Sequence, residues 1–312
     1  MDHGQQLKVL VTGAAGRIGS AFFRHARERY LFRLVDRPGS GLASLDPGDH
    51  ETLEFDLSDV GACLEACEGT DVVVHLAADP SPEADFTNSL LPNNIVGSYN
   101  LFEAARKAGC RRVVAASSVH AVSGYPVDVQ VRAEMPVRPK NLYGVSKCFL
   151  EALAAYYAGE TGLSCVVVRI GAYPRPDESA GAMSVEEDLS AFVSPRDLCQ
   201  LLCQCVDAPD RVRFAVAHGV SDNRFKRLDL SHTREIFGYR PQDDAFGSTE
   251  CNSTNPRSAI VRAVRPKPLF ARSLGFLGNF GELRKVEVRI LGVLRSSHKF
   301  LRQVLRSLVC LA

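Results

Sequence analysis

The sequence predicts an α/β fold: a doubly wound parallel sheet with a small C-terminal substrate cap and an extra basic tail. Short runs rich in β-branched residues alternate with longer segments whose apolar residues recur every three or four positions. That alternation is typical of βαβ units around a parallel sheet. Val72–Val74 and Val166–Val168 lack polar alternation, as expected for strands covered on both faces.

The individual elements follow in a regular order through residue 171. The predicted strands are Lys8–Thr12, Phe32–Asp36, Thr52–Phe55, Val72–Leu76, Arg112–Ser117 and Cys165–Ile170. The predicted helices between them are Arg17–Arg29, Val60–Ala66, Asn93–Ala108 and Ser146–Glu160. After a Pro/Gly/Ser loop at Ala172–Ser184 come a helix at Pro195–Asp207, a strand at Arg213–Ala217 and a helix at Ser231–Phe237. We therefore predict a dinucleotide-binding domain at 1–171, a substrate cap interleaved with the end of the sheet at 172–247, and an extension at 248–312.

Composition and charge exclude several classes of protein. The 312 residues can bury a large core, and the net charge of +1 argues against a nucleic-acid-binding protein. We find neither a signal peptide nor a membrane-spanning apolar run, and therefore predict a cytoplasmic protein whose ten cysteines remain thiols. Cys199, Cys203 and Cys205 lack a fourth ligand and ligand-like spacing, which predicts buried structural thiols and no metal site.

A glycine-rich turn between the first strand and the first helix predicts a dinucleotide site. Gly13, Gly16 and Gly19 allow a tight turn, close approach of a pyrophosphate to the backbone, and close packing of the helix. Asp36 ends the second strand, where its carboxylate can accept hydrogen bonds from an adenosine ribose and repel a 2′-phosphate. The predicted cofactor is therefore NAD rather than NADP, a preference that the adjacent Arg37 weakens without cancelling.

A second motif predicts proton-transfer chemistry. Tyr143 and Lys147 lie one turn apart at the start of a helix, so both side chains can face one site. A nearby ammonium favours the phenolate, and we expect Lys147 to lower the pKa of Tyr143 in this way. Ser118 follows a strand at the carboxyl edge of the sheet, where its hydroxyl can hydrogen-bond the reacting oxygen.

These motifs resemble the extended short-chain dehydrogenase/reductase family of NAD-dependent sugar epimerases, dehydratases and dehydrogenases, which has a Rossmann-type fold. The resemblance covers residues 7 to about 246, and within it the motifs look most like those of uronate dehydrogenases and of haloarchaeal NAD-dependent glucose-6-phosphate dehydrogenases. The family resemblance rests on the segments 11–19, 56–57, 75–78, 93–97, 116–118, 143–147 and 169–171, together with Asp36. The likeness to uronate dehydrogenases rests on 118–120, 141–149 and 168–171, and the likeness to the glucose-6-phosphate dehydrogenases on 79–84, 219–223 and 238–243. Both subgroups oxidise the anomeric carbon of a sugar.

The resemblance implies a role for each matching residue. The cofactor-binding residues would be Gly13, Gly16, Arg17, Ile18 and Gly19 at the pyrophosphate, Asp36 at the ribose, Asp56 and Leu57 at the adenine, and Leu76, Ala77, Ala78, Asn94, Tyr143, Lys147 and Ile170 towards the nicotinamide. The substrate-binding residues would be Asp79, Ser118, Val119, His120 and Ala172. Tyr143 would take the proton of the C1 hydroxyl and Ser118 would polarise the same oxygen, while Lys147 would hold the nicotinamide ribose.

The sequence departs from the family pattern at two places. Val119 stands where relatives often have Asn, which removes one polar contact to the sugar. The arginine that clamps the carboxylate in uronate dehydrogenases would fall near Gly181, whereas Arg175 lies six residues earlier. His120 is open to a substrate contact or a local structural role, and His75 is predicted to be a packed residue at the end of its strand.

We expect an NAD-dependent dehydrogenase acting on C1 of a sugar, sugar phosphate or uronic acid. The alternatives are a nucleotide-sugar epimerase or dehydratase that recycles its hydride, or a non-catalytic NAD-binding regulatory protein. The cap of about 75 residues is short for enclosing a nucleoside diphosphate, and the intact Ser118, Tyr143 and Lys147 argue for catalysis. By analogy, a homodimer would form through a helix pair that includes Ser146–Glu160.

The C-terminal extension differs in charge from the rest of the chain. Residues 1–247 carry 25 Lys and Arg against 33 Asp and Glu, while residues 248–312 carry 12 against 3. The extension begins with a linker-like stretch, and Glu282–Ala312 has the pattern of a basic amphipathic helix. We favour a packing-only extension over contact with an anionic membrane.

Overall fold

A single parallel sheet of seven strands organises the part of the chain that the computed structural model describes, residues 6–174 and 186–246. The strand order is β3-β2-β1-β4-β5-β6-β7. The strands are β1 (Lys8–Thr12), β2 (Leu31–Asp36), β3 (Glu51–Glu54), β4 (Val72–His75), β5 (Arg112–Ser118), β6 (Ser164–Ile170) and β7 (Phe214–Gly219). All seven predicted strands are present, and the predicted doubly wound α/β fold is confirmed.

Seven helices in the described residues flank this sheet: α1 (Arg17–Ala26), α2 (Val60–Cys67), α3 (Gly97–Lys107), α4 (Leu142–Tyr156), α5 (Glu186–Ala191), α6 (Pro195–Val206) and α7 (Ser231–Phe237). A π-helical segment, Phe86–Val96, leads into α3, and Tyr157–Thr161 continues α4 in the same way. Short 3₁₀ turns lie at Leu42–Leu45 and Val119–Val122.

Two helices begin earlier than the sequence predicted. The helix predicted to start at Asn93 extends back to Phe86, because the Asp85 carboxylate accepts from the backbone N–H of Asn88 and starts the helix there. Pro92 lies inside this segment; it has no N–H to donate, which agrees with the wider π-helical hydrogen bonding. α4 starts at Leu142 because the Asn141 side chain caps it.

Two apolar layers enclose the sheet, since alternate residues of each strand point to opposite faces. Val9, Val11 and Val114 lie in the layer with α1 and α6. Leu10 and Val113 lie in the layer with α2, α3 and α4. Both faces are covered, as the unbroken valine runs predicted.

The strand order opens a crevice at the carboxyl edge of the sheet. β1 pairs with β2 on one side and β4 on the other, and the chain reaches these neighbours over opposite faces. Ligands of such sheets bind where the order reverses. β7 pairs with β6, so the predicted cap region supplies the outermost strand of the same sheet. The predicted boundaries at 171 and 247 remain predictions, and the C-terminal extension lies outside the described residues.

Arg112, at the start of β5, is fully buried far from that crevice. Its Nε donates to Ser164 Oγ at 2.8 Å, and its Nη atoms donate to the carbonyl oxygens of Val206 at 3.2 Å and Pro209 at 3.1 Å, and also to that of Ala208. Arg112 thus satisfies the carbonyls that follow α6.

We expect Arg112→Met to lower the free energy of unfolding by about 3 kcal/mol, because several buried carbonyls lose a charged donor. Urea denaturation measures this loss. Arg132→Met is the matched control: Arg132 pairs with the exposed Glu134 at 2.8 Å, and an exposed pair contributes about 1 kcal/mol or less. Equal losses in the two variants would contradict this role of Arg112.

Candidate active site

A cavity of about 750 Å³ lies at the carboxyl ends of β1, β2, β4, β5 and β6. It is lined by most of the residues that the sequence singled out: Gly13, Gly16, Arg17, Ile18, Gly19, Asp36, Asp56, Leu57, Leu76, Ala77, Ala78, Asp79, Ser118, His120, Tyr143, Lys147 and Ile170. The structure thus brings the glycine turn and the Tyr-Lys-Ser set to a single cavity.

The glycine turn forms the floor of this cavity, where larger residues do not fit. Gly13 has φ of +71°, and a Cβ on it would lie 2.7 Å from the backbone nitrogen of Ala77. A Cβ on Gly19 would lie 2.2 Å from the carbonyl oxygen of Gly13. The turn therefore packs directly against the chain after β4 and against α1, whose N-terminus faces the cavity and can hold an anion through backbone N–H groups.

Asp36 lies beside the glycine turn, at the end of β2. Its Oδ2 accepts from the backbone N–H of Ala15 at 2.9 Å, and its Oδ1 accepts from the N–H of Arg37 at 2.8 Å. These bonds fix the carboxylate at the lip of the cavity. Asp56 lies at the same end, where its hydrogen bonds from Ser58 lower its pKa and keep it ionised. Turn, helix N-terminus and carboxylate together fit a dinucleotide with free ribose hydroxyls.

Tyr143, Ser118 and Lys147 converge at the opposite end of the cavity. Asn141 caps α4 by accepting from the N–H of Gly144 at 2.7 Å, which places Tyr143 in the first turn of the helix. The Ser118 side chain lies beside Tyr143 and lowers its pKa. The Nζ of Lys147 donates to the carbonyl oxygen of Ala116 at 2.8 Å and lies 5.6 Å from the centre of the Tyr143 ring.

The prediction that Lys147 lowers the pKa of Tyr143 is wrong for this cavity as it stands. Burial raises the pKa of Tyr143, the Ser118 side chain lowers it, and the charge of Asp79 raises it further, with burial dominant. Burial also lowers the pKa of Lys147 to about 8. Desolvation outweighs the attraction between ammonium and phenolate, because both charged forms lose water here.

His75, at the end of β4, is a packed structural residue as predicted. It is buried, its Nδ1 hydrogen-bonds Thr12 Oγ1 at 2.8 Å, and its Nε2 hydrogen-bonds Ser98 Oγ at 3.0 Å. Burial, with a smaller effect of the Lys147 charge, lowers the pKa of His75 to about 3. The ring is therefore neutral at physiological pH.

Asp79 projects into the cavity beside Tyr143, in the segment that follows β4. Its carboxylate accepts a short hydrogen bond from Ser89 Oγ. Its backbone N–H donates to Asn94 Oδ1 at 2.8 Å, and Asn94 Nδ2 donates to Ser146 Oγ at 3.0 Å. Asn94 thus ties the Asp79 segment to α4 from behind.

His120 also faces the cavity, with its ring 5.4 Å from the ring of Tyr143. Its Nδ1 hydrogen-bonds Asn141 Nδ2 at 3.0 Å, which links His120 to the residue that caps α4. This placement agrees with either of the two roles left open for His120, a substrate contact or a local structural role.

Three predicted site residues lie outside the cavity lining, namely Asn94, Val119 and Ala172. Asn94 is buried, and Val119 and Ala172 follow the ends of β5 and β6. Arg175 and Gly181, where the sequence raised the question of a carboxylate clamp, lie outside the described residues. The assigned roles of Asn94, Val119 and Ala172 stay predictions.

The structure adds residues that the sequence analysis did not identify. Ser89, Asn93 and Tyr173 line the cavity. Arg17 donates to the carbonyl oxygens of Tyr173 and Pro174, at 3.3 and 3.1 Å, so it bridges from the glycine turn to the loop after β6. No local pattern in the sequence signals these contacts, since they join segments more than 150 residues apart.

We expect Asp36→Asn to raise the Kd for NAD by about tenfold and to reduce the discrimination against NADP. The amide keeps the shape of the carboxylate but forms weaker, uncharged hydrogen bonds to the ribose, and it no longer repels a 2′-phosphate. Calorimetric titration with both cofactors measures the two changes. Asp46→Asn, outside the cavity lining, is the control; an unchanged ratio of NAD to NADP affinity in Asp36→Asn would contradict the assignment.

Comparisons with known proteins agree with this geometry. A profile described as the NAD dependent epimerase/dehydratase family matches residues 9–178. Over 252 residues the chain is 36% identical to the NAD-dependent glucose-6-phosphate dehydrogenase of Haloferax volcanii. The alignment covers 76% of this chain and 94% of the relative. The chain is 35% identical over 258 residues to the L-arabinose 1-dehydrogenase (NAD(P)(+)) of the same organism, covering 76% and 97%.

Solved structures give the same result. A mutant of the uronate dehydrogenase from Agrobacterium tumefaciens, complexed with NAD, aligns with a TM-score of 0.68 and 34% identity over 84% of this chain and 91% of that one. These likenesses confirm the predicted Rossmann-type fold and the predicted cofactor, NAD. The family profile and relatives above 30% identity span most of the described residues, so the chain belongs to the NAD-dependent epimerase/dehydratase family.

Proposed function

We propose that this protein is an NAD-dependent dehydrogenase that oxidises C1 of a sugar, sugar phosphate or uronic acid to a lactone. The observation that supports it is the convergence of Tyr143, Ser118 and Lys147 on the cavity that also holds the glycine turn and Asp36. One cavity then accommodates a dinucleotide and, at its Tyr143 end, a small polar substrate.

The cofactor-binding residues divide along the length of the cavity. We assign the pyrophosphate to the glycine turn and the N-terminus of α1, and the adenosine ribose to Asp36. Asp56 and Leu57 flank the adenine, and Leu76 to Ala78 and Ile170 line the path to the nicotinamide. Lys147, one turn after Tyr143, holds the nicotinamide ribose.

The reaction needs a base for one proton and an acceptor for one hydride. NAD supplies the hydride acceptor when bound. Tyr143 takes the proton of the C1 hydroxyl, and Ser118, which lies beside Tyr143, polarises the same oxygen. The C1–H bond breaks as the C1=O bond of the lactone forms, so sugar and NAD yield lactone, NADH and one proton.

The substrate contacts come from segments at the Tyr143 end of the cavity. We propose that Asp79, held by Ser89 and Asn94, accepts a hydrogen bond from a sugar hydroxyl, and that His120 donates or accepts a second one. Val119 and Ala172 complete the predicted set. The relatives named for glucose 6-phosphate, L-arabinose and uronate share sugar dehydrogenation and differ in the rest of the substrate, so we leave the distal group open.

We place the protein in the cytoplasm. The eight cysteines in the described residues are free thiols, seven of them buried, and Cys199, Cys203 and Cys205 lie buried on α6 as predicted. A reducing compartment preserves such thiols. Among the described residues there is no helix that is both long and apolar enough to span a membrane.

We expect the purified protein, given NAD and a panel of aldoses, aldose phosphates and uronic acids, to form NADH with at least one sugar, measured by absorbance. Tyr143→Phe should lower kcat by about 10²- to 10⁴-fold, because the base is lost, while the Kd for NAD stays the same. Tyr125→Phe, whose hydroxyl bonds the carbonyl of Pro136 outside the cavity, is the control.

No NADH with any sugar would overturn the proposed reaction and favour an epimerase or dehydratase with internal hydride recycling. Full turnover in Tyr143→Phe would overturn the assignment of the base. NADH formation by the wild type, with strongly reduced NADH formation by Tyr143→Phe, supports both the proposed reaction and the assignment of the base.

We further propose a homodimer formed through the outer faces of α3, the segment before it, and α4. These helices pack beside each other, and their outer faces expose large apolar side chains. The exposed residues are Phe86, Leu91, Val96, Tyr99, Leu142, Val145 and Tyr156. Exposed apolar side chains on neighbouring helices are typical of an interface, and two copies would cover them symmetrically.

We expect the double variant Tyr99→Arg/Tyr156→Arg to halve the mass measured by analytical ultracentrifugation, because two charges would be buried unpaired at the interface. Phe225→Arg, equally exposed but in the segment before α7, should leave the dimer intact. A monomeric wild type, or a dimeric double variant, would contradict the proposed interface.

A further inference from the structure

A buried ion pair lies one helical turn beyond Lys147, between Glu151 on α4 and Arg169 on β6. Arg169 donates from Nε to Glu151 Oε1 at 2.9 Å and from Nη2 to Oε2 at 2.8 Å. Ser117 Oγ donates to the same Oε1 at 2.7 Å. The two charged side chains are only 3% and 8% exposed, and neither is among the described residues that line the cavity.

Stability alone does not explain this pair. Leu150, Ala154 and Val167 lie in the same layer between α4 and the sheet, while Ser117 and His218 flank Arg169 in the register of the strands. Charges buried among apolar groups lose their hydration, and apolar side chains of similar volume are often as stabilising. The ion pair instead fixes the relative orientation of the two side chains, because a bidentate contact between guanidinium and carboxylate forms in one orientation.

That geometry fixes the position of α4 on the sheet. Ser117 and Arg169 are direct neighbours in the register of β5 and β6, and Glu151 reaches both. A slip of one residue along α4 would move the carboxylate by about 1.5 Å and rotate it by about 100°. Either displacement breaks the bidentate contact.

The reacting groups share this helix face. Tyr143, Lys147 and Glu151 recur every four residues on the buried side of α4. Lys147 is bonded to β5 through the carbonyl of Ala116, and Tyr143 lies beside Ser118 at the end of the same strand. The ion pair is thus a second attachment between α4 and the sheet, on the same side of the helix as Tyr143 and Lys147.

We propose that Glu151 and Arg169 are positioning residues, which hold α4 on the sheet so that Tyr143 keeps its place beside Ser118 during sugar oxidation. The kinetic consequences of this inference rest on the proposed function, whereas the geometry of the ion pair is independent of it. Misplacing a reacting group by about 1 Å costs about 10²-fold in rate.

Loss of this attachment has a definite electrostatic consequence. The groups that face Tyr143 are Ser118, Lys147, Asp79 and His120. The Ser118 side chain lowers the pKa of Tyr143. If α4 moves away from Ser118, that effect is lost, the pKa of Tyr143 rises, and the low-pH limb of kcat/KM moves to higher pH.

The double variant Glu151→Leu/Arg169→Met removes both charges together and fills the space with apolar groups. We expect it to fold with a Tm close to that of wild type, because no buried charge is left unpaired. We expect kcat to fall by about 10²-fold and the low-pH limb of kcat/KM to move upward.

Arg112→Met is the matched control, since it removes a fully buried arginine at the other end of β5. It should lower the Tm without changing kcat or the pH profile. Wild-type kcat and pH profile in the double variant would show that the ion pair is merely structural and would overturn the inference.

A second readout needs no turnover. The pKa of Tyr143, followed by NMR on protein labelled with ¹³C-tyrosine and assigned with Tyr143→Phe, should be higher in the double variant, and an unchanged pKa overturns the inference. If the wild type oxidises no sugar, only the proposed function is overturned, and the NMR titration still tests the inference. If the double variant does not fold, Glu151→Gln replaces it in the same NMR titration, with the same two outcomes.

Discussion

The close packing of the glycine turn against the chain after β4 is the contact on which the rest of the site depends. Gly13 and Gly19 allow separations from Ala77 and from each other that a Cβ would forbid. Because the turn lies this deep, α1 begins directly under the crevice where the strand order reverses, and the end of β4 reaches the floor of the same cavity. Larger residues there would separate the phosphate-binding turn from the reacting groups.

Anion recognition in this site is local and does not follow from bulk charge. The first 247 residues carry more acidic than basic side chains. A pyrophosphate would meet backbone N–H groups and the N-terminus of α1, whose partial positive charge acts over a short range. Arg17 lies at the same place, but its guanidinium is bonded to the carbonyls of Tyr173 and Pro174 and so connects the turn to the loop after β6.

Local patterns predicted the strands, the helices, the glycine turn and the spacing of Tyr143 and Lys147, because each depends on residues close in the chain. The contact of Asp79 with Ser89 and the pairing of Glu151 with Arg169 were not predicted. They depend on the exact seating of helices on the sheet, which periodicity does not specify. The pKa of Tyr143 was misjudged for a related reason: the spacing shows a nearby ammonium, whereas the degree of burial is a property of the whole cavity.

That burial decides how Tyr143 can act as a base. A phenol beside a neutral amine and a phenolate beside an ammonium hold the same number of protons, so the cavity's polarity, rather than pH, sets the balance between them. In the cavity as it stands burial disfavours both charged forms, raising the pKa of Tyr143 and lowering that of Lys147 to about 8. Polar groups placed against Lys147 and Ser118 shift the balance towards the charged pair. We therefore expect Tyr143 to become more basic once ligands occupy the cavity.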